Sequence, residues 1–209
     1  MTPYTLRVRD VHKAYGRRRV LRGVSLDVPR GAVVGLLGEN GSGKTTLVRI
    51  VCGDLRPDSG TVERSGRIGY CPQEPVLNDE LTVGQHLRFF QVAYGLERLA
   101  RADELLDHLE CREYRHERVG TLSGGTRQKL NLTIALMHDP PVLVLDEPYQ
   151  GFDWETYLRF WELTKGLRDR GRSVLMISHL TYDSARFDAL GRLRDGVIRF
   201  GRGGTEEGT

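Results

Sequence analysis

Residues 35–46 read Gly-Leu-Leu-Gly-Glu-Asn-Gly-Ser-Gly-Lys-Thr-Thr. They match the pattern G-x-x-x-x-G-K-[ST], in which Gly38, Gly43, Lys44 and Thr45 occupy the fixed positions. Glycines allow backbone N–H groups to turn inward around phosphate oxygens, because no Cβ atom blocks the approach. The stretch therefore predicts a loop that binds the phosphates of a nucleotide.

The segments on either side predict a strand before this loop and a helix after it. Residues 32–34 form a short apolar run, which is typical of a buried parallel strand. Leu47, Ile50 and Val51 recur at helical spacing. A helix that begins at the loop adds its partial positive charge to the phosphate site. A glycine-rich turn without a ligand is the alternative, but strand, loop and helix in this order favour nucleotide binding.

Side chains of the loop have separate roles in this prediction. Lys44 can reach the β- and γ-phosphates, and the Thr45 hydroxyl can ligate Mg²⁺. The other members of the predicted phosphate cradle are Gly38, Asn40, Gly41, Ser42, Gly43 and Thr46.

Composition limits the class of protein. A chain of 209 residues corresponds to one domain, or to one domain with an inserted subdomain. Its net charge of +3 is too small to favour a nucleic-acid partner. The three cysteines lack metal-site spacing and favour reduced thiols in the cytoplasm. We find no signal peptide and no apolar run of about 18 residues, so we expect any membrane role to need a partner.

Periodicity predicts the main elements. Strands are expected at 5–11, 20–28, 61–63, 67–71, 142–145 and 173–177. A Thr-x-x-Gln capping box at 82–85 predicts the start of a helix that Gly95 stops. Further helices are expected at 98–110, after Ser123 and at 154–170, and a hairpin is expected around Asp195-Gly196. A glycine-rich tail begins at 201. Strand signals are missing from about 74 to 137, which predicts a helical insertion in an α/β body.

Polar residues follow three of these strands. The carboxyl ends of parallel strands form the ligand edge of an α/β sheet. There Asp146 could hold Mg²⁺, and Glu147 could accept the proton of an attacking water. Gln73 could ligate Mg²⁺ or order a water, and His179 could donate to a γ-phosphate. Solvated polar side chains at strand ends are the alternative for each.

Two further segments have both a functional and a purely structural interpretation. Tyr15 could stack on a purine ring or simply pack at a strand end. Ser123-Gly124-Gly125 opens a predicted helix and could bind a second anion or serve as an ordinary N-cap. One chain seldom needs two phosphate cradles, so the second cradle favours a role in trans.

The order of these motifs resembles the nucleotide-binding domain of the ATP-binding-cassette (ABC) family over residues 5 to 200. The segments that match in order are Tyr15, 38–46, Gln73, Leu122–Gln128, Val142–Glu147, Asp153 and His179. The most specific is Leu-Ser-Gly-Gly-x-x-Gln, which distinguishes this family from other proteins with the same phosphate loop.

The resemblance implies the fold and the site. It implies a P-loop NTPase with a mainly parallel core sheet, an N-terminal antiparallel β subdomain and an inserted α-helical subdomain. The expected division of the chain (1–209) is 1–73 with 138–209 for core and β subdomain, and 74–137 for the helical subdomain. Two cassettes would enclose two ATP molecules with Mg²⁺. The residues expected to act across that interface are Ser123, Gly124, Gly125, Gln128 and Asp153.

One departure from the family pattern lies beside this interface. Residues 149–152, Tyr-Gln-Gly-Phe, stand where small or hydroxyl residues are usual. The family pattern therefore does not define the interface geometry near Asp153.

The resemblance implies a catalytic subunit that works with separate proteins. We expect an ATPase on the cytoplasmic face of the membrane, with transmembrane permease subunits and a second ATPase subunit as partners. Within the family the chain looks like the ATPase of an ABC-2-type exporter. A soluble ABC ATPase for iron–sulfur assembly and an importer ATPase are the alternatives. The expected contact with the permease lies between the loop after Gln73, which includes Pro75, Val76 and Leu77, and the helix that carries Phe89.

Overall fold

Two β-sheets carry the fold in the computed structural model, which describes residues 3–179 and 184–200. The glycine-rich tail lies outside these ranges. The first sheet is antiparallel and has the order β2-β1-β4. Its strands are β1 (Tyr4–Tyr15), β2 (Arg18–Pro29) and β4 (Ser59–Arg64). The first two are longer than predicted, because Tyr15 pairs directly with Arg18 and the turn between them is only two residues long.

The second sheet is mainly parallel and forms the centre of the molecule. Its strands are β3 (Val33–Leu37), β5 (Ile68–Cys71), β6 (Val142–Asp146), β7 (Ser173–Ser178), β8 (Ala189–Arg194) and β9 (Val197–Phe200). They follow the order β5-β6-β7-β3-β8-β9, and β9 alone runs antiparallel to its neighbour. This confirms the predicted α/β fold with an N-terminal antiparallel sheet.

Five α-helices accompany the sheets in the described part of the chain. They are α1 (Lys44–Cys52), α2 (Val83–Tyr94), α3 (Ala100–His108), α4 (Gly124–Leu136) and α5 (Trp154–Asp169). The capping box of Thr82 and Gln85 is present at the start of α2, and Gly95 ends the helix with φ 68°. Helix α3 is two residues shorter at each end than predicted. The structure describes all of 74–137, where α2, α3 and α4 lie; the bounds of a separate subdomain there stay a prediction.

The register of the parallel strands sets the position of the site. Leu37 pairs with Ser178, Asp146 with Ile177 and Cys71 with Leu145. The carboxyl ends of β3, β5, β6 and β7 are therefore nearly level, and the loops that follow them meet at one edge of the sheet. Within 3–179 and 184–200, no helix has both the length and the apolar character needed to cross a membrane.

Candidate active site

A cleft of about 470 Å³ lies at the carboxyl edge of the central sheet. Its lining consists of Tyr15, Arg18, Val20, Asn40, Gly41, Gly43, Lys44, Thr45, Thr46, Gln73, Asp146, Glu147 and His179. The fold thus brings the phosphate loop, the polar residues of three strand ends and Tyr15 to one place.

The phosphate loop depends on glycine at two positions. A Cβ atom at Gly38 would lie 2.7 Å from both the carbonyl oxygen of Leu193 and Oγ of Ser42. Gly43 has φ 107°, which side chains of L-residues rarely adopt. The buried Oγ of Ser42 has no hydrogen-bond partner among the described residues, so a bound phosphate oxygen could supply one.

Lys44 opens helix α1 and points back over the loop. Its Nζ atom donates to the carbonyl oxygens of Gly38 at 2.5 Å and Glu39 at 3.0 Å. Neutral carbonyls hold the ammonium in place without cancelling its charge, which leaves that charge available to a nucleotide phosphate.

Asp146 is the last residue of β6 and is only 7% exposed. Burial raises the pKa of its carboxyl group to about 6, the neighbouring Glu147 acts in the same direction, and Lys44 opposes both. A cation beside Asp146 would favour the ionised carboxylate. The exposed hydroxyl-bearing residue Thr45 lines the same cleft.

Glu147 is 6% exposed and has φ 49°, in the left-handed region. Its backbone N–H donates to the carbonyl oxygen of Ile177 at 2.9 Å. Its Oε1 atom accepts from the backbone N–H of His179 at 2.7 Å and lies 2.6 Å from Nδ1 of that ring. Its Oε2 atom accepts from Oγ of Ser178 at 3.1 Å. The turn and these contacts hold the carboxylate at the end of β7.

The contact with Glu147 restricts the protonation of His179. A neutral ring that donates from Nδ1 to the carboxylate has only an acceptor at Nε2. Donation from Nε2 to a γ-phosphate, as the sequence predicts, therefore requires the imidazolium form or a rotated ring.

The oxygen donors of the cleft suit Mg²⁺. No group of three His, Cys, Asp or Glu residues that could hold a metal occurs in 3–179 or 184–200. Mg²⁺ usually binds through one or two carboxylates together with substrate phosphates and waters, and it does not need an all-protein cage. Asp146 and Thr45, beside a loop shaped for phosphates, meet that description.

Residues of the second predicted cradle lie outside this cleft. Ser123 caps α4, with its Oγ accepting from the backbone N–H of Thr126 at 3.2 Å. A Cβ atom at Gly124 would meet nothing within 4 Å, whereas one at Gly125 would lie 2.7 Å from the carbonyl oxygen of Gly151. The loop 147–153 is thus packed directly against the start of α4.

Two residues expected at the cassette interface make side-chain contacts within the chain. Gln128 is 3% exposed, and its side chain faces Asn131 and the carbonyl oxygen of Pro148 at 3.3 and 3.4 Å. Its buried side chain therefore links α4 to the loop 147–153, because its amide group donates to the carbonyl oxygen of Pro148 and does not face solvent. Asp153 caps α5 by accepting from the backbone N–H of Thr156 at 2.7 Å, and this contact lowers the pKa of its carboxyl group.

The unusual segment 149–152 contributes to an aromatic cluster close to Glu147. Tyr149 packs edge-on against Tyr157 and Phe160, and Phe152 also contacts Phe160. The periodicity of α5 predicted the burial of Phe160, but no pattern indicated that residues 149 and 152 would pack on it.

Two cleft residues are not among those predicted from the sequence. Arg18 adds a positive side chain and Val20 adds an apolar one to the cleft that Tyr15 lines. The run of arginines at 17–19 is the available sequence signal for Arg18.

A family model described as "ABC transporter" matches residues 21–150. The chain belongs to the ABC transporter family. It is 36% identical over 193 residues to the Nod factor export ATP-binding protein I of Burkholderia orbicola, covering 85% of the chain and 64% of the relative. It is 38% identical over 191 residues to the daunorubicin resistance ATP-binding protein DrrA3 of Streptomyces coeruleorubidus, covering 84% and 60%. The chain thus spans less than two thirds of these relatives' lengths.

Solved ABC cassettes share the fold. The structure of an ATP-binding subunit of an ABC transporter superposes with a TM-score of 0.88 and 28% identity, over 94% of this chain and 89% of that one. The dimeric structure of MJ0796, a bacterial ABC transporter cassette, superposes with a TM-score of 0.83 and 25% identity, over 92% and 96%. The chain is therefore an ABC ATPase cassette.

Proposed function

We propose that this chain hydrolyses ATP and thereby drives export through separate transmembrane subunits. The observation that carries the proposal is the single cleft in which Lys44, Asp146, Glu147 and His179 meet the phosphate loop. Phosphoryl transfer to water requires groups of these kinds, namely a phosphate-binding loop, a positive charge, carboxylates and an imidazole.

Each side chain has a role in this proposal. Lys44 binds the β- and γ-phosphates, and Thr45 and Asp146, with Gln73, hold Mg²⁺, which neutralises phosphate charge when bound. Glu147 orients the attacking water and accepts its proton, since its buried carboxylate lines the same cleft as the phosphate loop. Tyr15 stacks on the adenine, with Val20 beside it in the cleft.

A second cassette completes the site. Ser123 and the open N-terminus of α4 lie outside the cleft, so they would bind the γ-phosphate held by a partner cassette. The dimeric form of the related cassette MJ0796 supports this arrangement. The partner is either a second copy of this chain or a similar cassette.

The exposed apolar side chains of α2 support a permease contact. Phe89 is 63% exposed and Val92 is 81% exposed, three residues apart on one face of the helix. Val76, which is 86% exposed, follows Gln73 of the cleft. Leu77, by contrast, is half-buried against the core, so Val76 is the more accessible of these two predicted contact residues.

Export is supported by the two relatives, which are named for Nod factor export and daunorubicin resistance. The test is the Mg²⁺-dependent ATPase rate of the purified chain, with and without vesicles that contain a candidate permease. Stimulation by the permease supports transport. Stimulation by an iron–sulfur assembly scaffold instead would favour the assembly alternative and overturn the proposal.

A further inference from the structure

Tyr149 places a hydroxyl group next to the strand end that holds Glu147. Its ring lies edge-on to Tyr157 and Phe160, with centroid distances of 5.6 and 5.9 Å. Phe160 is only 1% exposed, so the Tyr149 ring rests on the buried core. Its hydroxyl donates to Oγ of Ser178 at 3.0 Å.

Ser178 connects this hydroxyl to the carboxylate. It is the last residue of β7 and is 2% exposed. Its Oγ donates to Oε2 of Glu147 at 3.1 Å, while His179 holds the opposite oxygen. The two carboxylate oxygens therefore have different supports, and only Oε2 depends on a rotatable hydroxyl.

A serine hydroxyl can rotate among several staggered positions, and each one aims its hydrogen in a different direction. When the Tyr149 hydroxyl donates to Oγ of Ser178, the hydroxyl hydrogen of Ser178 is directed toward Oε2 of Glu147. Such chains of hydroxyls strengthen one another in a buried environment.

We propose that Tyr149 is a positioning residue for ATP hydrolysis, which acts through Ser178 to fix the orientation of the Glu147 carboxylate. This rests on the proposed role of Glu147 as the base that activates water. It gives a function to an aromatic residue at a position where the family pattern has small or hydroxyl side chains.

The test compares variants that keep the aromatic ring. Tyr149→Phe removes only the hydroxyl, and Tyr157→Phe makes the same change in a neighbouring ring as a control. We expect Tyr149→Phe to lower kcat about 3- to 10-fold, the usual worth of one hydrogen bond, with KM for ATP unchanged. Tyr157→Phe should leave kcat unchanged.

A double-mutant cycle separates positioning from packing. If Tyr149 acts through Ser178, the double variant Tyr149→Phe/Ser178→Ala should have the kcat of Ser178→Ala alone. Without the serine hydroxyl, the Tyr149 hydroxyl has no group through which it can orient Glu147. Thermal unfolding of each variant is measured in parallel.

Three results would overturn the proposal: an unchanged kcat in Tyr149→Phe, multiplicative effects in the double variant, or a lowered kcat that follows a lowered melting temperature. Glu147→Gln serves as the reference. If Glu147→Gln loses turnover and Tyr149→Phe does not, only the positioning role fails. If Glu147→Gln turns over at the wild-type rate, the role of Glu147 itself fails.

Discussion

Nδ1 of His179 lies 2.6 Å from Oε1 of Glu147, so the histidine that follows β7 is joined to the carboxylate that follows β6. The two groups belong to adjacent parallel strands. In the proposed mechanism they face the same γ-phosphate, and the contact sets the direction from which the base approaches the attacking water.

Glu147→Gln should keep ATP binding and lower turnover by about 10²- to 10⁴-fold, because the amide keeps the shape of the side chain but cannot accept a proton. Nucleotide binding and phosphate release are measured on the same preparation. The exposed Glu162→Gln serves as the control and should leave both unchanged. Wild-type turnover in Glu147→Gln would remove the assignment of the base.

Lys44→Ala should weaken ATP binding by about 10- to 100-fold, which corresponds to the loss of one charged hydrogen bond, and hydrolysis should fall with it. The loop should keep most of its shape, because Gly38 and Gly43 determine its backbone conformation, although two hydrogen bonds from the ammonium group to loop carbonyls are lost. Titration with a fluorescent ATP analogue measures the affinity. Lys165→Ala, an exposed lysine on α5, is the matched control. Unchanged affinity in Lys44→Ala would contradict the phosphate role.

The Glu147→Gln protein should form a dimer with ATP and remain a monomer with ADP, since the γ-phosphate is the group shared between opposed cradles. Light scattering at saturating nucleotide distinguishes the two states. Adding Ser123→Phe, which blocks the exposed start of α4, should abolish the dimer without changing ATP affinity. A protein that stays monomeric with ATP would point to a different cassette as its partner, and mixing the two cassettes would then restore the dimer.

Without metal and nucleotide, the contribution of Asp146 to the stability of the protein should fall as pH rises from 4 to 7. The pKa of Asp146 is raised from 3.8 to about 6, so the folded state binds a proton more tightly than the unfolded state does. Stability from this group is complete below pH 4 and is lost as pH passes 6, a change of about 3 kcal/mol in unfolding free energy.

Asp146→Asn should remove most of this pH dependence and should be more stable than wild type at pH 7 in EDTA. Denaturant unfolding across the pH range measures the effect. The exposed Asp169→Asn is the control and should keep the wild-type slope. An equal slope in Asp146→Asn would show that another group is responsible.

Phe89→Asp and Val76→Asp should release the chain from membranes that contain its permease, with basal ATPase within about two-fold of wild type, because surface substitutions rarely disturb the fold. Co-sedimentation with vesicles that carry or lack the permease measures the contact. Glu97→Ala, an exposed position just beyond α2, is the control. Co-sedimentation of both variants at the wild-type level would place the contact elsewhere.

The central sheet and its ligand edge could be predicted because their signals are local. The glycine loop, the apolar strands and the Thr82 capping box each specify a backbone conformation within a few residues. The parallel register then brings Gln73, Asp146 and His179 to one edge without further information.

Long-range side-chain contacts could not be predicted in this way. The inward orientation of Gln128 depends on Pro148 and Asn131, and the motif alone suggests a surface residue. Arg18 lines the cleft because the β1–β2 turn is only two residues long. The run of arginines at 17–19 does not indicate the length of that turn. The hydroxyl contact of Tyr149 with Ser178 depends on how α5 packs on the sheet, which no sequence period encodes.

The close approach of Gly125 to the carbonyl oxygen of Gly151 leaves no space for even a methyl group between the start of α4 and the loop that follows Glu147. In the proposed dimer, α4 binds the nucleotide held by the partner cassette, while Glu147 acts on the nucleotide held by its own cassette. If α4 shifts when the partner's nucleotide loses its γ-phosphate, the loop that follows Glu147 in the same chain as α4 must therefore move as well. The contact between Gly125 and Gly151 would in this way couple hydrolysis at one nucleotide site to hydrolysis at the other.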